Sequence, residues 1–436
     1  MMWQQTGPVG FADFGWDLYG PLLAIVSLIV LGVPVWVSLG LGTAAMLFLT
    51  GTLPLTVLGA TLFQGIDHFA LIAVPLFILT GDVLVRTGLS EKLLDIAEAI
   101  TGGVKAGFGS ATVLGCGFFA CISGSDAAGA AAVGRMTIDR LVRQGYPKPY
   151  ACALVASGAC TGILIPPSIA YIIIGLILGI SASTLFLAAV VPGLLILFSI
   201  LLTNLVMNWR HGYENAAVGF SLRRVGRALL DGRYALLVPV IILGGIYAGI
   251  FTPTEAAAVA VVVTIVIGLA QGTLTLADFP KMLISSAKVN GIILPIIAVS
   301  LPLAQTLAAL QVPQAFVGAM TSISSEPWVL ILLMTGILVT AGLVMETTPN
   351  IVLLSPLLLP LAQEIGMNEV HFSIFMVTAL GVGFITPPFG LNLFVVAGIT
   401  NTPVLSIAAR AWPYVLGMLA VVLLLAYVPM LSLWAF

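Results

Sequence analysis

Four carboxylates fall inside or beside long apolar stretches of this 436-residue chain: Asp82, Asp126, Glu255 and Glu346. A charge held in hydrocarbon is costly, so each is a candidate functional group by default. Two have an ordinary structural explanation. Asp82 precedes Arg86 by four residues, the spacing of an ion pair along one helix face. Glu255 follows Thr252-Pro253-Thr254, a helix-start pattern in which a first-turn carboxylate complements the helix dipole. Asp126 and Glu346 have no such explanation. They lie in the small polar turns Ile122-Ser123-Gly124-Ser125-Asp126 and Met345-Glu346-Thr347-Thr348-Pro349-Asn350, between apolar arms and without a lysine or arginine. Hydroxyl and carboxylate oxygens are hard ligands that suit a hard monovalent cation such as sodium, and the same carboxylates could carry a proton.

Two proline pairs offer related chemistry. Pro166-Pro167 and Pro387-Pro388 each remove two amide donors and disfavour helix in the residue before them. The apolar segments 149–180 and 370–400 are therefore expected to be pairs of half-helices joined by unwound backbone. Lipid cannot satisfy such backbone, so each linker must line a protein-walled cavity. Unwound carbonyls and half-helix C-termini attract cations, and half-helix N-termini attract anions.

Nothing points to catalysis or to a bound organic cofactor. The chain has no GxxxxGK[ST] loop, no HExxH and no GxSxG. Cys116, Cys121, Cys152 and Cys160 lie in apolar segments and read as small packing residues. His68 and His371 flank spans and His211 lies in a loop, and all three read as solvated or interfacial. Lys and Arg number 15 against 17 Asp and Glu, which leaves no basic face for nucleic acid.

The elements that must position these groups follow from composition. Apolar residues make up 60% and charged residues 7%, so the chain is an all-α polytopic membrane protein in a lipid bilayer. Hydrophobic segments fall at 18–33, 34–50, 70–86, 106–141, 149–180, 183–208, 235–250, 254–270, 290–310, 328–363, 370–400 and 411–434. The segments 106–141 and 328–363 are long enough to be re-entrant hairpins, which leaves about ten single crossings. No Lys or Arg precedes Arg86, so the N-terminus lacks the basic region of a signal peptide and reads as unprocessed. With both termini outside, every basic residue falls on the cytoplasmic side, and the outside loops 51–69, 181–182, 251–253, 311–327 and 364–369 carry none. The stretch 89–100 has apolar residues at helical spacing and is expected along the cytoplasmic interface.

The two halves resemble each other at a shift of about 221 residues. Gly51-Thr52-Leu53 falls on Gly272-Thr273-Leu274, and Gly162-Ile163-Leu164-Ile165-Pro166-Pro167 matches Gly383-Phe384-Ile385-Thr386-Pro387-Pro388. Each half contains five crossings and one hairpin. An odd count inverts the second copy, as in secondary transporters with broken helices. The expected organisation is an N-terminal outside segment 1–17, repeat 1 at 18–208, a basic cytoplasmic connector 209–234, and repeat 2 at 235–436.

At these residues the chain resembles the large membrane subunit of tripartite ATP-independent periplasmic (TRAP) transporters. The resemblance runs through Gly81-Asp82-Val83-Leu84, Phe118-Phe119-Ala120-Cys121-Ile122-Ser123-Gly124-Ser125, Ile165-Pro166-Pro167-Ser168, Gly249-Ile250-Phe251-Thr252-Pro253-Thr254-Glu255 and Thr386-Pro387-Pro388-Phe389-Gly390-Leu391-Asn392. It implies an elevator-type, sodium-coupled importer of a small organic anion in the bacterial inner membrane, with scaffold and transport domains. It also implies a periplasmic substrate-binding protein and a small four-helix membrane subunit as partners. Carried over by position, one sodium ion belongs near Ser123, Gly124, Ser125, Ile165 and Pro166. A second belongs near Glu346, Thr347, Gly383, Thr386 and Pro387. Substrate belongs between the tips, near Ser125, Asp126, Thr348, Asn350 and Asn392. One departure stands out: where the family usually has a further small hydroxyl after Ser-Gly-Ser, this chain has Asp126. A stand-alone inverted-repeat carrier or cation–proton antiporter using Asp126 and Glu346, and an uncoupled channel-like component, are the other readings of the same residues.

Overall fold

The computed structural model describes residues 14–436 except 55, 104, 215–218 and 389. The N-terminal segment thus lies mostly outside the described residues. Among those described, the regular elements are all helices, with no strand.

α1 (Trp16–Val30) and α2 (Val35–Thr50) pack on each other through Gly42, where a Cβ would fall 2.2 Å from Ile25 Cγ1. α3 (Thr56–Ile66) leads through a short 3-10 turn into α4 (Ala73–Arg86) and then α5 (Leu89–Thr101). α6 (Gly107–Ser123) and α7 (Asp126–Arg143) are the arms of the first hairpin. α8 (Lys148–Ala159), the single turn α9 (Thr161–Leu164) and α10 (Ile169–Leu178) make the first broken helix, bent by 41°. α11 (Ala182–His211) closes the first half.

α12 (Leu222–Asp231) and α13 (Arg233–Tyr247) meet at 73°. They are followed by α14 (Pro253–Ala270), the 31-residue α15 (Phe279–Ala309) and α16 (Val312–Ile323). α17 (Pro327–Val344) and α18 (Thr347–Glu364) form the second hairpin, α19 (Glu369–Gly383) and α20 (Leu391–Thr400) the second broken helix, and α21 (Val404–Tyr427) the last long helix.

Buried apolar residues form one large cluster and two smaller ones. The large cluster gathers both hairpins, both broken helices, α11 and α21, together with parts of α4, α5, α13, α14 and α15. One of the smaller ones joins α1, α2 and α15 through Leu18, Ile25, Leu39, Met46, Ile296 and Leu303 and takes in Val352 of the second hairpin; the other is Val83, Leu274 and Met282. Among the described residues six helices are long and apolar enough to cross a membrane, or eight if each bent pair is one span. α1 and α2, at 15 and 16 residues, fall below that length.

Several readings of local structure need correction. The outside loops 51–69 and 311–327 contain helices, α3 and α16. Both are short and carry no Lys or Arg, so neither charge nor length marked them; the Pro313 start signal of α16 was legible. The segment 290–310 is the latter part of α15, so Lys281 and Lys288 stand within a helix rather than in a loop before it. The segment 89–100 is helical, but Leu89, Leu93, Leu94 and Ile96 are buried, and α5 packs against α6 rather than lying free on a bilayer. His371 is 1% exposed, with Nε2 3.4 Å from Ala426 O, whereas His68 and His211 are exposed as expected. Asp82 pairs with Arg86 at 2.9 Å, and Thr252 and Glu255 form a reciprocal capping box.

The base of the first hairpin is fastened by a residue the sequence did not single out. The buried Glu214 carboxylate accepts the Phe108 N–H (2.9 Å), the Gly109 N–H (3.3 Å) and the Tyr146 hydroxyl (3.0 Å). A carboxylate on the first free amides of α6 complements both the unsatisfied donors and the helix dipole. Burial, then the Glu214 charge, holds the Tyr146 phenol well above its usual range, so it remains a donor.

Candidate functional site

The first hairpin turns because Gly124 takes a left-handed conformation (φ 62°), donating its N–H to Ala120 O at 3.2 Å. Ser125 is then extended and caps α7, its Oγ accepting the Ala128 N–H at 3.4 Å. Ser123 Oγ accepts the Ser125 N–H, also at 3.4 Å. The tip is pressed into the first helix break. A Cβ at Gly124 would lie 2.8 Å from Pro167 O, and one at Gly162 would lie 2.6 Å from Asp126 N. The Ile169 N–H, at the start of α10, donates to Gly124 O at 3.3 Å. The break itself runs through extended Ile165 into a cis Pro166-Pro167 bond. Ser168 Oγ donates back to Ile163 O at 2.7 Å, which satisfies one freed carbonyl.

The second hairpin is closed differently. Glu346 is extended and precedes α18, but its side chain does not cap that helix. The turn is held by Asn350, whose Nδ2 donates to Ala341 O (3.1 Å) and Met345 O (2.9 Å). Its link to the second break is a backbone bond, Gly390 N–H to Leu343 O at 3.2 Å. The helices approach at two facing glycines: a Cβ at Gly383 would fall 2.6 Å from Gly342 Cα. α19 ends with Thr386 N–H donating to Gly383 O (3.0 Å) and Thr386 Oγ1 donating to Val382 O (2.8 Å), just ahead of the cis Pro387-Pro388 bond.

The two tip-and-break pairs adjoin. Gly381 packs against Leu164 and Ile163 of α9. Asn392, fully buried near the start of α20, donates from Nδ2 to Ala156 O and Cys160 Sγ, both at 3.4 Å, and lies against the Asp126 carboxyl. Asp126 is 4% exposed and Glu346 half-buried.

The structure therefore brings Ser123, Gly124 and Ser125 to the break at Ile165 and Pro166, and the hairpin carrying Glu346 and Thr347 to the break at Gly383, Thr386 and Pro387. Asp126 and Asn392 meet. Thr348 and Asn350 are buried in the first turn of α18, where the Asn350 amide nitrogen is engaged by the turn's own carbonyls. Sequence reasoning missed Gly162 and Ser168. Gly162 stands four residues before the proline pair and Ser168 directly follows it, so proximity to an unwound segment was the available signal.

Four buried oxygens here have no hydrogen-bond partner: Asp126 Oδ2, Thr347 Oγ1, Asn350 Oδ1 and Asn392 Oδ1. No Lys or Arg occurs in 122–128, 160–170, 345–350 or 383–392. Among the described residues no group of three or more His, Cys, Asp or Glu could hold a metal ion. The donor set is one of hydroxyls, amide and backbone carbonyls with two carboxylates, oxygen ligands that suit a hard cation rather than a soft, thiolate-bound metal.

The sequence pattern of the family described as "Tripartite ATP-independent periplasmic transporter, DctM component" matches residues 22–431. The C4-dicarboxylate TRAP transporter large permease protein DctM of Pseudomonas aeruginosa is 37% identical, covering 91% of this chain and 93% of that protein. The sialic acid large permease SiaM of Vibrio cholerae is 30% identical, covering 95% and 97%. The isethionate permease protein DctMQ of Oleidesulfovibrio alaskensis is 35% identical over 92% of this chain, which spans 63% of that relative's length. In fold the chain is similar to the YdaH transporter of Alcanivorax borkumensis, with a TM-score of 0.58 at 14% identity, covering 87% of this chain and 88% of that one.

Proposed function

The chain belongs to the tripartite ATP-independent periplasmic transporter family as its DctM component, a transporter permease and not an enzyme, and on that footing we propose that it imports a small organic anion by coupling to sodium. A periplasmic substrate-binding protein delivers the solute, and a small four-helix membrane subunit completes the complex in the inner membrane. The solutes named for the relatives above, a C4-dicarboxylate, sialic acid and isethionate, are all organic acids, which supports the anion class. The name DctMQ, and the length of that relative beyond this chain's 63%, support a second membrane component.

In this reading the protein is two inverted repeats, 18–208 and 235–436, of about ten crossings with two re-entrant hairpins and both termini periplasmic. Element starts support the repeat. α7 and α18 begin at 126 and 347, a difference of 221; α8 and α19 begin at 148 and 369, also 221; α11 and α21 begin at 182 and 404, a difference of 222. α5 and α16, starting at 89 and 312, extend the series to the two helices that precede the hairpins. The hairpins and broken helices form the moving transport domain and the remaining helices the scaffold, as in an elevator.

The observation that carries the reading is the pair of hairpin tips seated on helix breaks, with unpartnered buried oxygens where they adjoin. Leaving such an oxygen unsatisfied costs about 1–3 kcal/mol. In this reading sodium lies at Ser123, Gly124, Ser125, Ile165 and Pro166, and again at Glu346, Thr347, Gly383, Thr386 and Pro387, where it supplies the partner that Thr347 Oγ1 lacks; the other three oxygens, on Asp126, Asn350 and Asn392, face the solute position beside these ions. Sodium also answers a charge problem. An anion entering between Ser125, Asp126, Thr348, Asn350 and Asn392 meets two carboxylates and no arginine. About two bound sodium ions offset Asp126 and Glu346, leaving the half-helix N-termini to attract the anion. Solute then binds well only after sodium, which is coupling by linkage, about 1–3 kcal/mol per ion. The test is uptake into vesicles containing both membrane subunits, with the binding protein supplied. An inward sodium gradient is expected to drive accumulation. Uptake unchanged when potassium replaces sodium throughout would eliminate sodium coupling.

A further inference from the structure

We infer that α12 is a membrane-surface anchor: its apolar edge lies in the cytoplasmic leaflet and its flanking arginines bind the phosphates of anionic phospholipids. With 209–234 on the cytoplasmic side, as in the topology above, α12 begins the second half of the molecule. It meets α13 at 73°, so where α13 crosses the bilayer, α12 runs nearly along its surface.

Its sequence fits that position. At 100° per residue Leu222, Val225 and Leu229 share one arc with Leu230 at its border, while Arg223, Arg224, Arg227 and Asp231 fill the opposite arc. No residue of the helix is buried. Leu222 is 77% exposed, Leu230 64%, and Phe220 just before the helix 57%. This edge continues into Tyr234, Leu237 and Val240 of α13, also exposed, a surface that meets acyl chains wherever α13 spans.

The helix is held from the other side. Gly232 sits against Ile96, and a Cβ at Gly103 would fall 2.6 Å from Phe220 Cβ, so both ends of α12 rest on the region of α5. Arg224 and Arg227 face a cavity of about 370 Å³ shared with Asp95, Glu98 and Glu214, leaving the apolar arc turned away from it.

Charge selects lipid as the occupant of the edge. The segment 209–234 carries Arg210, Arg223, Arg224, Arg227 and Arg233 against Glu214 and Asp231, and the Glu214 carboxylate is already engaged by α6 and Tyr146. None of these arginines has an ion pair among the described residues. An amphipathic helix with basic borders beside a span partitions into an anionic interface, each arginine adding roughly fivefold. The anchor fixes the depth of the joint between the two halves.

The test uses the full chain in vesicles of phosphatidylcholine with or without phosphatidylglycerol. A fluorescent label is placed on L230C or on R227C, and spin-labelled lipid is the quencher. The parent chain, whose four cysteines are buried or half-buried, sets the labelling background. The label at 230 is expected to be quenched at least several-fold more than the label at 227. Spin-labelled phosphatidylglycerol is expected to quench it better than spin-labelled phosphatidylcholine, and R223Q with R233Q should abolish that preference while the difference between 230 and 227 remains. Equal quenching at both positions would overturn the anchor. So would protection of 230 that appears once the small membrane subunit is present, which would assign the edge to a protein partner. Neither readout requires transport, so failure of sodium coupling would leave this result standing.

Discussion

The two hairpin tips look like copies in sequence but are held by different bonds. Tip 1 is fixed through its backbone: Gly124 is left-handed, its carbonyl accepts the first amide of α10, and its α-carbon lies too close to Pro167 O to admit a side chain. The turn of tip 2 is fixed by one side chain, Asn350, bridging Ala341 O and Met345 O, while its carboxylate stays half-buried and uncommitted to a cap; its backbone bond and its close glycine contact with the second break lie on α17, before the turn itself. Tip 1 also buries Asp126 against Asn392 of the other half. A turn locked by sterics has little freedom to open, whereas one held by two hydrogen bonds worth about 1 kcal/mol each has more. The difference assigns rigidity to the first tip and adaptability to the second.

Four sets of substitutions would break or sharpen that contrast. The largest effect is expected from G124A. It meets a carbonyl at 2.8 Å in a left-handed conformation that alone costs about 1–2 kcal/mol, so vesicle uptake should fall by roughly tenfold or more. G398A, with nothing within 4 Å, should leave uptake near its parent value. Equal loss in both would remove the steric lock from tip 1. Next is N350A, which forfeits two hydrogen bonds or about 2 kcal/mol. It should raise half-saturating sodium several-fold and be partly rescued by N350Q; an unchanged sodium curve would show that tip 2 is not held this way.

The third is D126N, compared with E346Q. Each removes a carboxylate from one of the two adjoining tip-and-break pairs, so sodium affinity should drop in both. The double variant should depart from additivity by about 0.5–3 kcal/mol in a mutant cycle on sodium binding. Strict additivity would separate the two sites. The smallest effect belongs to T252A, at the start of α14 and outside both hairpins and both broken helices. Losing its capping box should cost about 1 kcal/mol and lower the thermal midpoint slightly, with sodium dependence unmoved.

What the sequence made legible follows from how local each signal was. Both breaks announced themselves, because a proline pair cannot continue a helix whatever surrounds it. Both turns were readable from small polar residues between apolar arms, and the Thr252–Glu255 cap from four adjacent residues. α3 escaped notice because its 11 uncharged residues are too few to span a bilayer and are interrupted by Gly59, Thr61, Gln64 and Gly65, which read as a loop as much as a helix. The burial of His371 depends on α21, 55 residues away, and the role of Glu214 depends on amides 105 and 106 residues earlier. Asn392 was named from its motif, but its seat on Ala156 and Cys160 comes from the docking of one half on the other. Contacts of that reach leave no periodicity in the chain.

Sodium binding to the purified membrane complex, counted by equilibrium dialysis with a radioactive tracer, tests the central claim most directly. About two ions per chain are expected. The count should fall to about one when tip 1 is altered by G124A, and to about one when tip 2 is altered by T347A. A parent chain that binds no sodium, or whose stoichiometry survives both changes, would contradict the assignment of the two tip-and-break pairs as coupling-ion sites.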